Sequence, residues 1–237
     1  MFLTIEKYFI WLILYSIMGW CYETTLCSVR EKKFVNRGFL NGPYCPIYGW
    51  GAVMIILALG WIQNPAILFV TGAVLTCTLE YITSYVMEKM FHARWWDYTN
   101  RKFNINGRVC LLGAVVFGSF SVILIKFLHP PIADVTDNMP VDKIHIITVV
   151  FFVIYGTDNI ITFGSMSGFK DKLIEYAAIM EEKVKLHANK EALNEFLSNL
   201  NYQQRRILSN FPHVLVLDKE KILEHIEEIR QEIKKHI

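Results

Sequence analysis

An all-α, polytopic membrane fold with about five transmembrane helices and a cytosolic helical tail follows from three features of the sequence. Hydrophobic residues fill 53% of the 237 positions and the mean hydropathy is +0.31, which favours lipid as the main solvent. Five apolar runs are separated by loops that divide Lys and Arg very unevenly. Beyond residue 168 the chain changes to a charged, amphipathic pattern.

The first run, 8–28, sits in "MFLTIEKYFIWLILYSIMGWCYETTLCSVR". Glu6 and Lys7 stand where a leader would be basic, and no A-x-A-like cleavage site follows, so this run reads as a retained helix. About 20 apolar residues cross a hydrocarbon core of ~30 Å, and the runs 45–61, 66–87, 109–128 and 144–165 supply the other spans, the second being short and Gly-rich. Residues 1–168 thus form a transmembrane domain and 169–237 a cytosolic tail.

Loop charge orients the spans. Arg30, Lys32, Lys33 and Arg37 lie between the first two runs, and Lys89, Arg94, Arg101, Lys102 and Arg108 between the third and fourth. Basic loops stay in the cytoplasm. The turn "WIQNPA" is uncharged and "HPPIADVTDNMPVD" is acidic without Lys or Arg before its end, so both face outward. The amino terminus is then outside and the tail inside. In the tail, Leu173, Ala177, Met180 and Val184, and again Ile222, Ile226, Ile229 and Ile233, form apolar stripes on charged helices, with Pro212 as a break. Such helices pack on each other, on a partner or on a second copy as a coiled coil.

The two basic loops belong to a repeated unit. Superposing Glu23 on Glu80 brings Val29, Glu31, Lys32 and Phe34 onto Val86, Glu88, Lys89 and Phe91, and "LNGPYC" then meets "INGRVC". Each unit reads as a helix with an embedded Glu, a basic loop, an Asn-Gly turn, a Cys and a second helix. The two hairpins run the same way, giving a parallel repeat. Asp158 in "YGTDNIITFGSMSG" falls at nearly the same depth as Glu23 and Glu80.

A carboxylate in hydrocarbon costs at least about 2.5 to 3.5 kcal/mol, so such residues face a cavity or a partner. Glu23, Glu80 and Asp158 are therefore the candidates for a substrate or ion cavity. A cation, a relayed proton or a polar headgroup would suit them, and an interhelical bond to Arg37 or Arg108 is the alternative. Asn41 and Gly42, before Tyr44, and Asn106 and Gly107, before Arg108, form turns that tolerate positive φ. Either these turns simply start the next helices, or their amides cap them beside an anionic headgroup. Cys45 and Cys110 in the first helical turns read as small packing residues. The stretch "RWWDYTNRKFNINGR", with Trp96, Asp97 and Tyr98, reads as an interfacial segment at headgroup level.

Several classes are excluded. The five cysteines are odd in number and show no CxxC pair, which argues against disulfides and structural zinc. There is no GxxxxGK[ST], HExxH or GxSxG motif, so no ATPase, protease or hydrolase site, metal or cofactor is expected. The bases are spread between apolar runs and imply no nucleic acid.

The stretches "GWCYETTLCSVREKKFVNRGFLNGPYCPIYGWGAV", "WWDYTNRKFNINGRVCLLGAVVFG" and "QRRILSNFP" resemble the bacterial family of type IV, CmpB-like ABC transporter permeases. The resemblance covers nearly the whole chain. It implies a small multi-pass protein of the bacterial plasma membrane, with Glu23, the 41–44 turn, Trp96 to Tyr98 and Asn106 to Arg108 as matching motif positions. It further implies a transport component whose ATP-binding subunit is a separate chain. Two other readings are a lipid-headgroup binding protein or enzyme, and a scaffold acting through its tail. The bilayer is the expected partner in all three, with homo-oligomers also compatible.

Overall fold

The computed structural model describes residues 2–91, 93–166, 168–169, 171–172, 174, 198–210 and 215–216. It is all-α but for one two-residue strand pair. The elements are α1 (Phe2–Glu31), α2 (Pro46–Leu59), α3 (Pro65–Phe91), β1 (Ala93–Arg94), α4 (Leu111–Ile123), a π-helical turn (Leu124–Leu128), α5 (His129–Asp137), α6 (Val141–Ser165), α7 (Tyr202–Asn210) and β2 (Leu215–Val216). The tail stripes through Leu173, Ala177, Met180, Val184 and Ile222 to Ile233, and Pro212, lie outside the described residues.

Among the described residues four stretches are long and apolar enough to cross a membrane: Phe2–Glu31, Pro65–Phe91, Leu111–Asp137 and Val141–Ser165. The fifth expected span, 45–61, is the 14-residue α2. At ~1.5 Å per residue it is about 21 Å long, short of the ~30 Å core. The expected outer loop after residue 128 is also different, because helix continues through it to Asp137. Pro130 and Pro131 cannot donate to the carbonyls four residues back. The chain accommodates them by widening the turn just before, where the N–H of His129 reaches the Leu124 carbonyl five residues away. α5 is then tied to the first half of α1: Trp11 Nε1 donates to Thr136 Oγ1 at 3.1 Å, Tyr15 Oη lies 3.1 Å from His129 Nδ1, and Lys7 pairs with Asp137 at 2.7 Å.

The described residues form two compact units, Met1–Thr83 with Tyr98–Thr162 and Ser84–Asp97 with Phe163–Ile237. In the first, Trp11, Leu12, Ile13, Tyr15, Leu40, Tyr44, Ala52, Val53, Ile55 and Leu124 make the core. Here α2 begins beside the middle of α1, where Cys45 N donates to the Ser16 carbonyl at 2.9 Å, and runs back along the first half of α1. Backbone approach is closest at Gly49, where an added Cβ would collide with Ser16 Oγ and the Leu12 carbonyl. In the second unit, Gln204 Nε2 and Asn201 Nδ2 both donate to the Ser165 carbonyl, Phe169, Ile174 and Ile207 are buried, and β1 pairs antiparallel with β2.

Gly49→Ala should therefore cost about 1–3 kcal/mol by overpacking the α1–α2 contact. Thermal unfolding in detergent checks this, and an unchanged midpoint would show that the helices separate freely.

Candidate functional site

Between α1 and α2 the chain does not leave the bundle. Residues 33–45 turn back along α1, and a stripe of residues four apart on that helix meets them. Ser28 Oγ accepts from Val35 N at 2.9 Å, Thr24 Oγ1 from Arg37 N at 3.4 Å, Trp20 Nε1 donates to Asn36 Oδ1 at 2.7 Å, and the Ser16 carbonyl receives Cys45 N. Irregular backbone at membrane depth is tolerated only where protein groups satisfy it. Leu40 is 0% exposed within this segment.

Asp158 of α6 closes the arrangement. Its Oδ1 accepts from the Asn41 backbone N–H and from Asn41 Nδ2, both at 3.0 Å, and from Thr162 Oγ1 at 3.1 Å. Oδ2 accepts from Gly42 N at 2.8 Å. Four donors around one carboxylate are charge-assisted bonds, stronger than neutral ones. Tyr44 stacks edge-on against Tyr155 at 5.5 Å.

The two glutamates are held differently. Glu23 Oε1 accepts from Tyr48 Oη of α2 at 2.5 Å. Glu80 is 6% exposed, and its Oε1 accepts from Tyr98 Oη at 3.2 Å. Its Oε2 is sealed from solvent with no hydrogen-bond partner, and a Cβ built on Gly113 would stand 3.8 Å from it. The Tyr98 pKa is raised, chiefly by burial, then by the Glu80 charge and hydrogen bond, with Cys110 and Glu23 adding to it. Glu23 and Glu80 thus act on one phenol, whereas Asp158 is placed on the Asn41–Gly42 turn. The donors that meet these two carboxylates are phenols, Tyr48 Oη for Glu23 and Tyr98 Oη for Glu80. A cavity of about 210 Å³ lined by Leu3, Thr4, Lys7, Tyr8, Trp11 and Asp137 contains none of the three acids.

The second Asn-Gly turn is a tight hairpin. Asn106 and Gly107 have φ of 52° and 67°, Arg108 N donates to the Ile105 carbonyl, and Ile105 bridges Val109. Asn106 Nδ2 donates to Tyr81 Oη at 2.8 Å, and the Arg108 guanidinium lies over the Tyr81 ring at 5.5 Å. Tyr98 N donates to the Gly107 carbonyl at 2.8 Å, so this turn positions the phenol that reaches Glu80. The first turn has no positive φ at Asn41 or Gly42. Neither Asn caps a helix: Cys45 and Cys110 are the N-caps, and only Cys110 Sγ accepts a cap bond, from Gly113 N. In the other unit, Asp97 faces Arg94 at 3.7 Å, Arg94 also pairs with Glu88 at 3.2 Å, and Trp96 is half-buried.

Sequence reasoning missed Tyr48 and the α1 stripe. Tyr48 falls three residues after Cys45, inside a run that reads as packing. The stripe has a visible signal in its four-residue spacing, Ser16, Trp20, Thr24 and Ser28.

Apolar helices that carry one buried and two half-buried carboxylates, joined by an irregular segment that turns back along α1, define a multi-pass membrane protein. A family model described as Putative ABC-transporter type IV matches residues 10–163, and the chain belongs to that family. The match takes in the first compact unit from residue 10 onward together with Ser84–Asp97 of the second. No curated protein and no solved structure matches the chain.

Asp158→Ala removes the acceptor of three turn donors and should destabilise the protein by about 1–3 kcal/mol. It should also expose Cys45, whose buried thiol should then react faster with maleimide in intact membranes. A variant with unchanged Cys45 reactivity would mean that the turn holds itself.

Proposed function

We propose that this chain is the membrane-embedded permease component of an ABC-type transporter, with Glu23 and Glu80 at the polar position of its interior and ATP hydrolysis supplied by a separate subunit. The observation that carries this reading is Glu80: a buried carboxylate with one unmatched oxygen inside an apolar helix is a costly feature that packing alone would not favour. Family membership points the same way. Asp158, with four donors, holds the re-entering segment in shape in this reading and carries nothing. The tail is assigned to the cytosolic side, and α2 crosses as a short span.

Copurification from the native host in mild detergent, followed by mass spectrometry, tests the proposal. A stoichiometric ATP-binding protein is expected, and its consistent absence would sink the permease role.

A second reading has its own observation. Phe103 is 77% exposed at φ 52°, Ile105 is also exposed, and Arg101 and Lys102 precede them. Apolar tips beside bases suit insertion at an anionic headgroup surface, which favours a lipid-contacting role for this loop alongside or instead of transport.

Orientation has a separate test. A cysteine at exposed Asn138 should react with an impermeant maleimide in intact cells, and one at exposed Asn100 only after permeabilisation. The reverse pattern would invert the assignment.

A further inference from the structure

We propose that Glu80 is a proton-binding site of the membrane domain, carrying its proton on Oε2. This deepens the transport reading by naming the ligand of that same acid pair. Among the described residues Tyr98 donates to Oε1, while Oε2 faces the first turn of α4 at Gly113, sealed from solvent and without a donor. An ionised carboxylate with an oxygen shut off from both water and N–H groups is an expensive state, and a proton or a cation on that oxygen removes the expense.

The surroundings choose between the two. Groups that act on Glu80, or on the Tyr98 and Cys77 beside it, are Tyr98 from the loop, Cys110 at the start of α4, Cys77 one turn back on α3, and Glu23 on α1. None of these groups is basic. No group of three or more His, Cys, Asp or Glu able to hold a metal exists among the described residues, and the single free oxygen offers one ligand where a metal ion needs several. Glu23 contributes a second carboxylate whose charge opposes that of Glu80. Asp158 is the internal contrast, since its four donors suit the ionised form.

A hydrophobic carbodiimide, which adds to protonated carboxyls inside membranes, reads this directly on the full chain in native membranes. The expected result is an adduct on Glu80, lost in Glu80→Gln, retained in Tyr98→Phe, undiminished by high sodium, potassium or calcium, and absent from Asp158. Infrared spectroscopy supplies the second measurement, because Glu80→Gln should remove the carbonyl band of a protonated acid whether or not the reagent gains access. Protection by a metal ion would make the site a cation site and overturn the proposal. The absence of both the adduct and the band would overturn it as well. Neither readout depends on an ATP-binding partner, so the permease reading can fail while the proton site stands, and the reverse.

Discussion

The constraint on which the structure depends is the need to satisfy a run of non-helical backbone inside an apolar bundle. After α1 the chain turns back along that helix, and the N–H groups of Val35, Arg37, Gly38, Asn41, Gly42, Tyr44 and Cys45 all meet protein acceptors. Unsatisfied N–H groups in hydrocarbon cost several kcal/mol each, so the stripe on α1 and the carboxylate of Asp158 are conditions for the segment's existence. That α2 starts midway along α1, and is short, follows from the same event. The length spent on the re-entering segment is length the helix does not have.

Superposing Glu23 on Glu80 brings corresponding contacts of the two hairpins into view. Leu12 and Phe69 are equivalent under the 57-residue offset (80 minus 23), and each presents its carbonyl to a glycine of the following helix, Gly49 and Gly118. Cys45 and Cys110 both cap those helices. Each glutamate accepts a hydrogen bond from a phenol. The phenols come from different places, however. Tyr48 lies three residues after Cys45, and the equivalent position three after Cys110 is Gly113. The longer second loop brings Tyr98 instead.

Much of this was legible in the sequence. The three uninterrupted spans of α1, α3 and α6 show as long apolar runs, and the acids show because charge in such runs is rare. Two elements were hidden. The helix from His129 to Asp137 carries two prolines and two aspartates, which locally read as a loop; tertiary bonds from Trp11, Tyr15 and Lys7 override that preference. The starting depth of α2 was hidden too, since apolar length reports how far a helix runs and not where along its neighbour it begins. The roles of Tyr48 and Tyr98 depended on contacts 25 and 18 residues away in sequence, and an aromatic residue in a membrane segment carries no local sign of which acid it will meet. Asp97 did have a local sign, an opposite charge three residues earlier at Arg94.

The difference between Tyr48 and Tyr98 has a physical consequence for the acids they touch. Tyr48 sits on a helix packed by Phe117 and Tyr22 at 6.2 Å each, and its adjacent Gly49 admits no displacement from α1 without loss of contact. Tyr98 is held through one loop, by its own N–H on the Gly107 carbonyl. A donor mounted on packed helix keeps its geometry, whereas a donor mounted on a hairpin turn moves with that turn. The basic loop containing Arg101, Lys102 and the exposed Phe103 is continuous with the same turn. The backbone bond that fixes Tyr98 thus lies in the same loop as Arg101, Lys102 and Phe103, whereas Tyr48 is fixed on α2. Of the two glutamates, Glu80 takes its hydrogen bond from a residue of a loop and Glu23 from a residue of a packed helix.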